Sequence, residues 1–273
     1  MMASRALTGT TAGTTDGISV SGVFGRSVDV LKANPVGTFG IGFVMIALPQ
    51  LLLEQFGGRA GLFRGLGNDT YAVLGLYGFV VGLLWLIASG AIVHATVAHD
   101  EGRVSALAEN LRIGLLRCLP LFVVNVLFVL AAWIGLLFLV IPGIMLAVMW
   151  SVSVPAIVAE RVGIFGAFGR SRALTKGARW QVFGILLLAL AIYILVSIVV
   201  GLMGVAGYGS FSALTGGTAQ LPVSAPALWV QLLQSIVTTV ILTWYTTVSA
   251  ALFVELRHWK DGPLTDQLAD IFA

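Results

Sequence analysis

The chain has 273 residues, 58% hydrophobic and only 10% charged, with a formal net charge of +3 and a mean hydropathy of +1.00. Soluble domains carry about 25% charged residues, so there is too little polar surface here to coat a water-exposed globule. The basic residues flank apolar segments, so the pI near 9.3 is no nucleic-acid signal.

Residues 1–20 are Thr- and Gly-rich, lack a continuous apolar core, and read as a flexible cytoplasmic tail, not a signal peptide. No Asp, Glu, Lys or Arg occurs at 33–53, 70–99, 118–159 or 180–254. A spanning helix needs about 20 apolar residues, so the first two gaps hold one span each and the two longer ones hold two each. The expected spans are 36–56, 71–97, 119–140, 143–159, 181–205 and 227–254. An open strand in lipid would leave its amides unpaired, and the alternating segments of an outer-membrane barrel are absent. The class is therefore all-α: a polytopic membrane domain over 21–257, with a second cytoplasmic tail at 258–273. Cys118, the single cysteine, excludes an internal disulfide and reads as a small packing residue.

Thirteen Lys and Arg residues fall on one side of these spans and two, Arg59 and Arg64, on the other. The positive-inside rule then places both termini in the cytoplasm. Along that side a phrase recurs. "FGRSVDVLKANPVGTFGI" at Phe24–Ile41 and "FGRSRALTKGARWQVFGI" at Phe168–Ile185 agree at eight of eighteen positions, 144 residues apart. A weaker copy precedes the third span, putting Lys32, Arg117 and Lys176 in register. Phe24, Val28 and Leu31 form an apolar stripe in the first copy. Leu107, Leu111, Gly114, Leu115 and Cys118 do so in the second, opposite Glu109 and Arg112. Arg172, Lys176 and Arg179 form a basic stripe in the third. Each copy reads as an interfacial amphipathic helix leading into a helical hairpin. Three such units, each with two spans, would insert in the same orientation about an axis along the membrane normal.

At "VIPGIMLAVMWSVSVPAIVAERVGIFGAFGRSRALTKGARWQVFG", Val140–Gly184, the chain resembles the membrane-domain family of glycerophosphoryl diester phosphodiesterases and its stand-alone bacterial relatives. The shared features are a Pro-Gly-Ile turn, Trp150, Pro155, Glu160, Gly163, the Arg170–Ser171 pair and Gly177. "ALFVELRHWKDG", Ala251–Gly262, is similar to the family's ending, although Phe253 and Val254 stand where Tyr is frequent. The resemblance spans about residues 20–262. It implies six spans in a bacterial inner membrane and carries over no catalytic residue, because the phosphodiesterase domain of the named relatives has no counterpart in this chain.

No chemical constellation stands out. His94 and His99 raise a metal reading, with Glu160 near by, but the zinc-peptidase pattern is absent and their spacing puts them on different faces, so hydrogen-bonded interfacial histidines are expected. Glu160 and Glu255, beside Arg161 and Arg257, read as surface-level ion pairs fixing helix depth. Asn125, Gln231, Ser235, Thr238, Tyr245 and Ser249 are polar residues within spans, read either as interhelical glue or as a polar pathway. Gly75, Gly78 and Gly82 make a small-residue face on the second span, and the glycine-rich Gly204–Gly217 segment lacks the strand and helix of a nucleotide loop. Apart from Glu54, near the end of the first, no predicted span contains an acidic residue, Lys or Arg, which argues against ion-coupled transport.

The expected function is accordingly non-catalytic, with no cofactor and no metal. Arg26, Lys32, Arg112, Arg117, Arg170, Arg172, Lys176 and Arg179 are the candidates for holding anionic membrane lipid or a membrane-protein partner. The alternative is an uncoupled carrier or channel for a lipid or small neutral solute, lined by Asn125 and the polar stripe of the last span.

Overall fold

The computed structural model describes residues 18–52, 70–138, 140–160, 162–207 and 228–262. The N-terminal tail through residue 17, Arg59 and Arg64, Arg161, most of the glycine-rich loop and the tail beyond 262 lie outside the described residues.

Among the described residues every regular element is helical. Helix α1 (Val20–Ala33) is capped by Ser19, whose hydroxyl accepts from Gly22 N at 3.1 Å. It turns by 88° into the next helical segment. The corner is written in Asn34-Pro35: Asn34 N–H closes α1 on Val30 O while its side chain accepts from Gly37 N at 2.9 Å, and Pro35 begins α2 (Pro35–Gly42) where a missing N–H costs nothing. A π-helical turn, Phe43–Ala47, joins α2 to α3 (Leu48–Leu52). Pro49 follows it, and the wide turn accommodates the hydrogen bond that proline cannot donate.

Five further helices, or helix pairs, are long and apolar enough to cross a membrane. They are α4 (Thr70–Asp100), α5 (Leu107–Phe138), the pair α6 (Val140–Met149) and α7 (Ser153–Ala159), α9 (Arg179–Gly207) and α10 (Leu228–Asp261), with the short α8 (Ile164–Thr175) between α7 and α9. With α1–α3 taken as one broken span the total is six. The chain is a multi-pass membrane protein. Its two long outer helices, α5 and α9, are only 11% buried over their most apolar windows, whereas α10 is 50% buried and touches α1, α2, α3, α4, α7, α8 and α9. α10 is the axis; α5 and α9 give their flanks to lipid.

The core gathers toward the charged ends of the helices. Val248, Ala250 to Val254 and Leu256 of α10 pack with Ile157, Leu174, Val182 and Ile185, nearly all of them fully buried. Threonines let α10 carry hydroxyls there at little cost, because Thr239 and Thr247 donate to the carbonyls of Ser235 and Thr243, each at 2.8 Å.

Three sequence expectations change. The middle basic segment is not a separate helix: α5 runs unbroken from Leu107 through Pro120 into the span. Of its expected apolar stripe, Leu111 and Gly114 pack inward, while Leu107 and Leu115 are exposed. The Pro-Gly-Ile segment is not the turn between spans. Pro142 and Gly143 sit in the first turn of α6, where proline is tolerated, and Gly143 lies so close to the backbone of Gly135 and Leu136 that a Cβ would come within 2.6 Å. Nor do Gly75, Gly78 and Gly82 close-pack among the described residues, of which none lies within 4 Å of a Cβ placed on any of them. The tight glycine contact is Gly90 with Gly114, where a Cβ on Gly114 would stand 2.3 Å from Ile87 O, bringing α4 and α5 together.

Candidate functional site

The cationic end of the bundle is built from the two stretches that share the FGRS phrase. α1 and α8 begin 144 positions apart, as do α2 and α9. In each stretch the arginine bridges two carboxylates at helix ends. Arg26 binds Asp100, at the end of α4, and Glu255 of α10 at 3.2 Å. Arg170 donates from Nε to both oxygens of Glu160 at 2.9 and 2.7 Å, and from Nη2 to Asp261 of α10. The hydrogen bond from Glu160, and after it Asp261, holds the Arg170 guanidinium above its ordinary pKa although partial burial pulls the other way. Glu160 and Glu255 are thus ion-paired with the recurring arginines; Arg161, the neighbour expected to pair with Glu160, lies outside the described residues.

Asp100 is the most enclosed of these carboxylates. Its side chain is 4% exposed, and besides Arg26 it faces His258 Nε2 at 3.1 Å and Arg257 Nη2 at 3.5 Å. His94 Nδ1 lies 2.8 Å from Asn110 Oδ1, and its Nε2 lies 3.9 Å from Glu109. Among the described residues no group of three His, Cys, Asp or Glu side chains is placed to hold a metal ion.

The serine of each phrase has a different task. Ser27 donates only to Phe24 O, one turn back in its own helix, at 2.7 Å. Ser171 repairs the break between α6 and α7: it donates to Met149 O at 2.9 Å and accepts from Val152 N at 3.3 Å, with Thr175 Oγ1 also on Met149 O at 3.3 Å. Trp150, at the break, packs edge-on against Phe168 with centroids 5.0 Å apart. Gly177 then connects α8 to α9 at φ +95°, where a side chain would be strained and the Trp259 ring lies 3.3 Å from a Cβ position. The local sequence Trp-Ser-x-Ser, Arg-Ser and Lys-Gly therefore encodes a kinked hairpin laced to α8.

Beside this hairpin is a groove of about 580 Å³ between α6 and the start of α9. Ile141, Ile144, Met145 and Phe183 form its apolar wall, and Lys176 and Arg179 stand at one end with Trp180. Lys176 is exposed. Arg179 is half-buried, and its Nε is buried without a hydrogen-bond partner among the described residues. Trp180 is 85% exposed, as suits a ring at a membrane–water boundary.

A second cavity, of about 540 Å³, lies among α4, α5, α6, α7, α9 and α10 and shares Ile144, Val148 and Phe183 with the groove. It brings together Asn125, Tyr245 and Ser249, three of the six polar candidates. Gln231 and Ser235 are instead buried toward the other end of α10, and Thr238 does not line the cavity.

The eight cationic candidates thus divide. Arg26 and Arg170 are held by carboxylates, Lys176 and Arg179 border the groove, and Lys32, Arg112, Arg117 and Arg172 line neither cavity. Sequence reasoning missed Trp85, Phe128 and Phe183 as cavity walls; nothing in an apolar span marks which aromatic faces inward. It also missed Asp100, whose only signal is an acid directly after a span.

No curated protein and no solved structure is matched by the chain. Residues 111–268 match the family described as the membrane domain of glycerophosphoryl diester phosphodiesterase. The match includes the α6–α8 hairpin, the Arg170 clamp and the α10 axis, and it covers more than half of the sequence. The chain belongs to the family of membrane domains of glycerophosphoryl diester phosphodiesterases.

Proposed function

We propose that this is a non-catalytic protein of a bacterial inner membrane that holds an anionic phospholipid at its cytoplasmic face, with the phosphate between Lys176 and Arg179 and an acyl chain along the α6–α9 groove. Both termini lie in the cytoplasm, and the chain is built from three units, of which the first and third retain the basic phrase; α1 and α8 lie along the inner headgroup layer. The groove carries this reading: two cations, one with an unpartnered buried Nε, stand over a channel that is otherwise apolar. An ammonium and a guanidinium at the membrane surface each favour anionic lipid by about 1 kcal/mol, and a guanidinium matches the geometry of phosphate oxygens.

The test is native mass spectrometry of the gently extracted protein. The wild type should retain phosphatidylglycerol over phosphatidylethanolamine, and the Lys176→Gln/Arg179→Gln variant should lose that preference. Arg170 is left intact, because removing it would strip Glu160 of both its hydrogen bonds from the guanidinium. Equal retention of the two lipids by the wild type, or an unchanged preference in the variant, overturns the reading.

A further inference from the structure

The second cavity differs from the groove in its chemistry. No Asp, Glu, Lys, Arg or His is among the residues that line it. Its walls are aliphatic and aromatic, with Trp85, Phe128 and Phe183 around it, and its volume falls within the range of sites that enclose a small ligand. Three polar groups reach it: the Asn125 amide, the Tyr245 hydroxyl and the Ser249 hydroxyl, and among the described residues none of them has a hydrogen-bond partner. The other hydroxyls at the wall are satisfied locally, Ser89 on Leu86 O at 2.9 Å, Ser151 on Val148 O at 2.9 Å and Thr246 on Leu242 O at 3.0 Å.

These three groups lie below the charged level. Asn125 is eight residues past Arg117, and Ser249 and Tyr245 are six and ten before Glu255, about 12, 9 and 15 Å along their helices at 1.5 Å per residue. That is within the hydrocarbon, where an unpaired amide is costly and an ionic head would lack a counter-charge.

We propose that the cavity is a second binding site, for an uncharged lipid whose small head carries carbonyl or hydroxyl oxygens, such as a quinone ring or a diacylglycerol. The Asn125 amide and the Tyr245 hydroxyl donate to the head oxygens, Phe128 and Trp85 flank the head, and the hydrocarbon tail leaves past the exposed Leu187 and Leu190. The site uses none of the cations of the phospholipid reading and stands without it.

The test uses the full-length protein in detergent and three probes: decyl-ubiquinone, dioctanoylglycerol and dioctanoyl-phosphatidylglycerol. Adducts are counted by native mass spectrometry across a probe titration. The wild type retains at least one of the two uncharged probes, and which one identifies the head. Asn125→Leu/Tyr245→Phe weakens that probe by about tenfold for each hydrogen bond lost and leaves phosphatidylglycerol unchanged. Lys176→Gln/Arg179→Gln leaves the uncharged probe unchanged. Ala147→Phe, which fills the cavity while keeping all three polar groups, also removes the uncharged probe. The proposal is overturned if the wild type retains neither uncharged probe, or if it retains one equally in the donor-less and cavity-filled variants while their helical circular dichroism matches the wild type.

Discussion

Arg26 and Arg170 occupy the same place in a repeated phrase, and both tie together carboxylates from two helix ends, yet their surroundings differ. Around Arg26 the charges meet on one enclosed carboxylate: Asp100 gathers Arg26, Arg257 and His258. Around Arg170 the clamp is complete with Glu160 and Asp261, and the cations that follow it, Lys176 and Arg179, are left facing a groove. The divergence begins at the corner. In the first stretch Asn34-Pro35 caps and turns the chain by 88°; in the third, Gly177 makes the turn, and a cation stands where Pro35 does. Among the described residues both stretches fasten helices together and leave a lysine unclamped, Lys32 and Lys176, but only the third sets its free cations against an apolar groove.

Removing Asp100 breaks the comparison hardest. Asp100→Ala leaves two arginines and a histidine crowded without their shared carboxylate, and should cost about 3–5 kcal/mol, as when one partner of a buried pair is lost. Chemical unfolding in mixed micelles measures this, and a change below about 1 kcal/mol would show that the node is solvated like a surface pair. Arg170→Met should cost less, about 1.5–3 kcal/mol, because Glu160 and Asp261 keep partial access to solvent.

The serines sharpen the contrast further. Ser171→Ala strips the Val152 N–H of its acceptor and should lower stability by about 1 kcal/mol. Ser27→Ala removes only a bond back into its own helix and should stay within about 0.5 kcal/mol. Equal losses at the two serines would show that the break between α6 and α7 is not sustained by α8. Lys176→Gln/Arg179→Gln should leave stability within about 0.5 kcal/mol of wild type while changing lipid retention, separating the groove charges from the fastening ones.

The membrane class and the approximate spans were legible because the absence of charge over 70–99, 118–159 and 180–254 is itself the physical constraint that lipid imposes. α1 and α8, like α2 and α9, begin 144 positions apart, the spacing of the FGRS phrase. The middle copy was misread because an amphipathic stripe constrains which face is apolar and not whether the helix stops, and Pro120 is accommodated within α5. The glycine face on α4 was misread because spacing alone does not say which side meets a neighbour; Gly90 and Gly114 are identified only by the helix opposite each. Among the cations, composition could not tell a clamped arginine from an unclamped one, since the carboxylates of Arg26 lie 74 and 229 positions away. The polar residues of α10 divided for a similar reason: one stripe runs past a buried contact and then past a cavity.

The break at 150–152 also bears on how the molecule breathes. A continuous helix opens by fraying from its ends, but here the amide of Val152 is guarded by a hydroxyl from α8. Any swing of α6, which lines both the groove and the cavity, must therefore be released by Ser171 and Thr175 letting go of Met149 and Val152. Val152 should exchange its amide hydrogen in step with that release and faster in Ser171→Ala, making one amide in a buried hairpin a reporter for the opening of the groove.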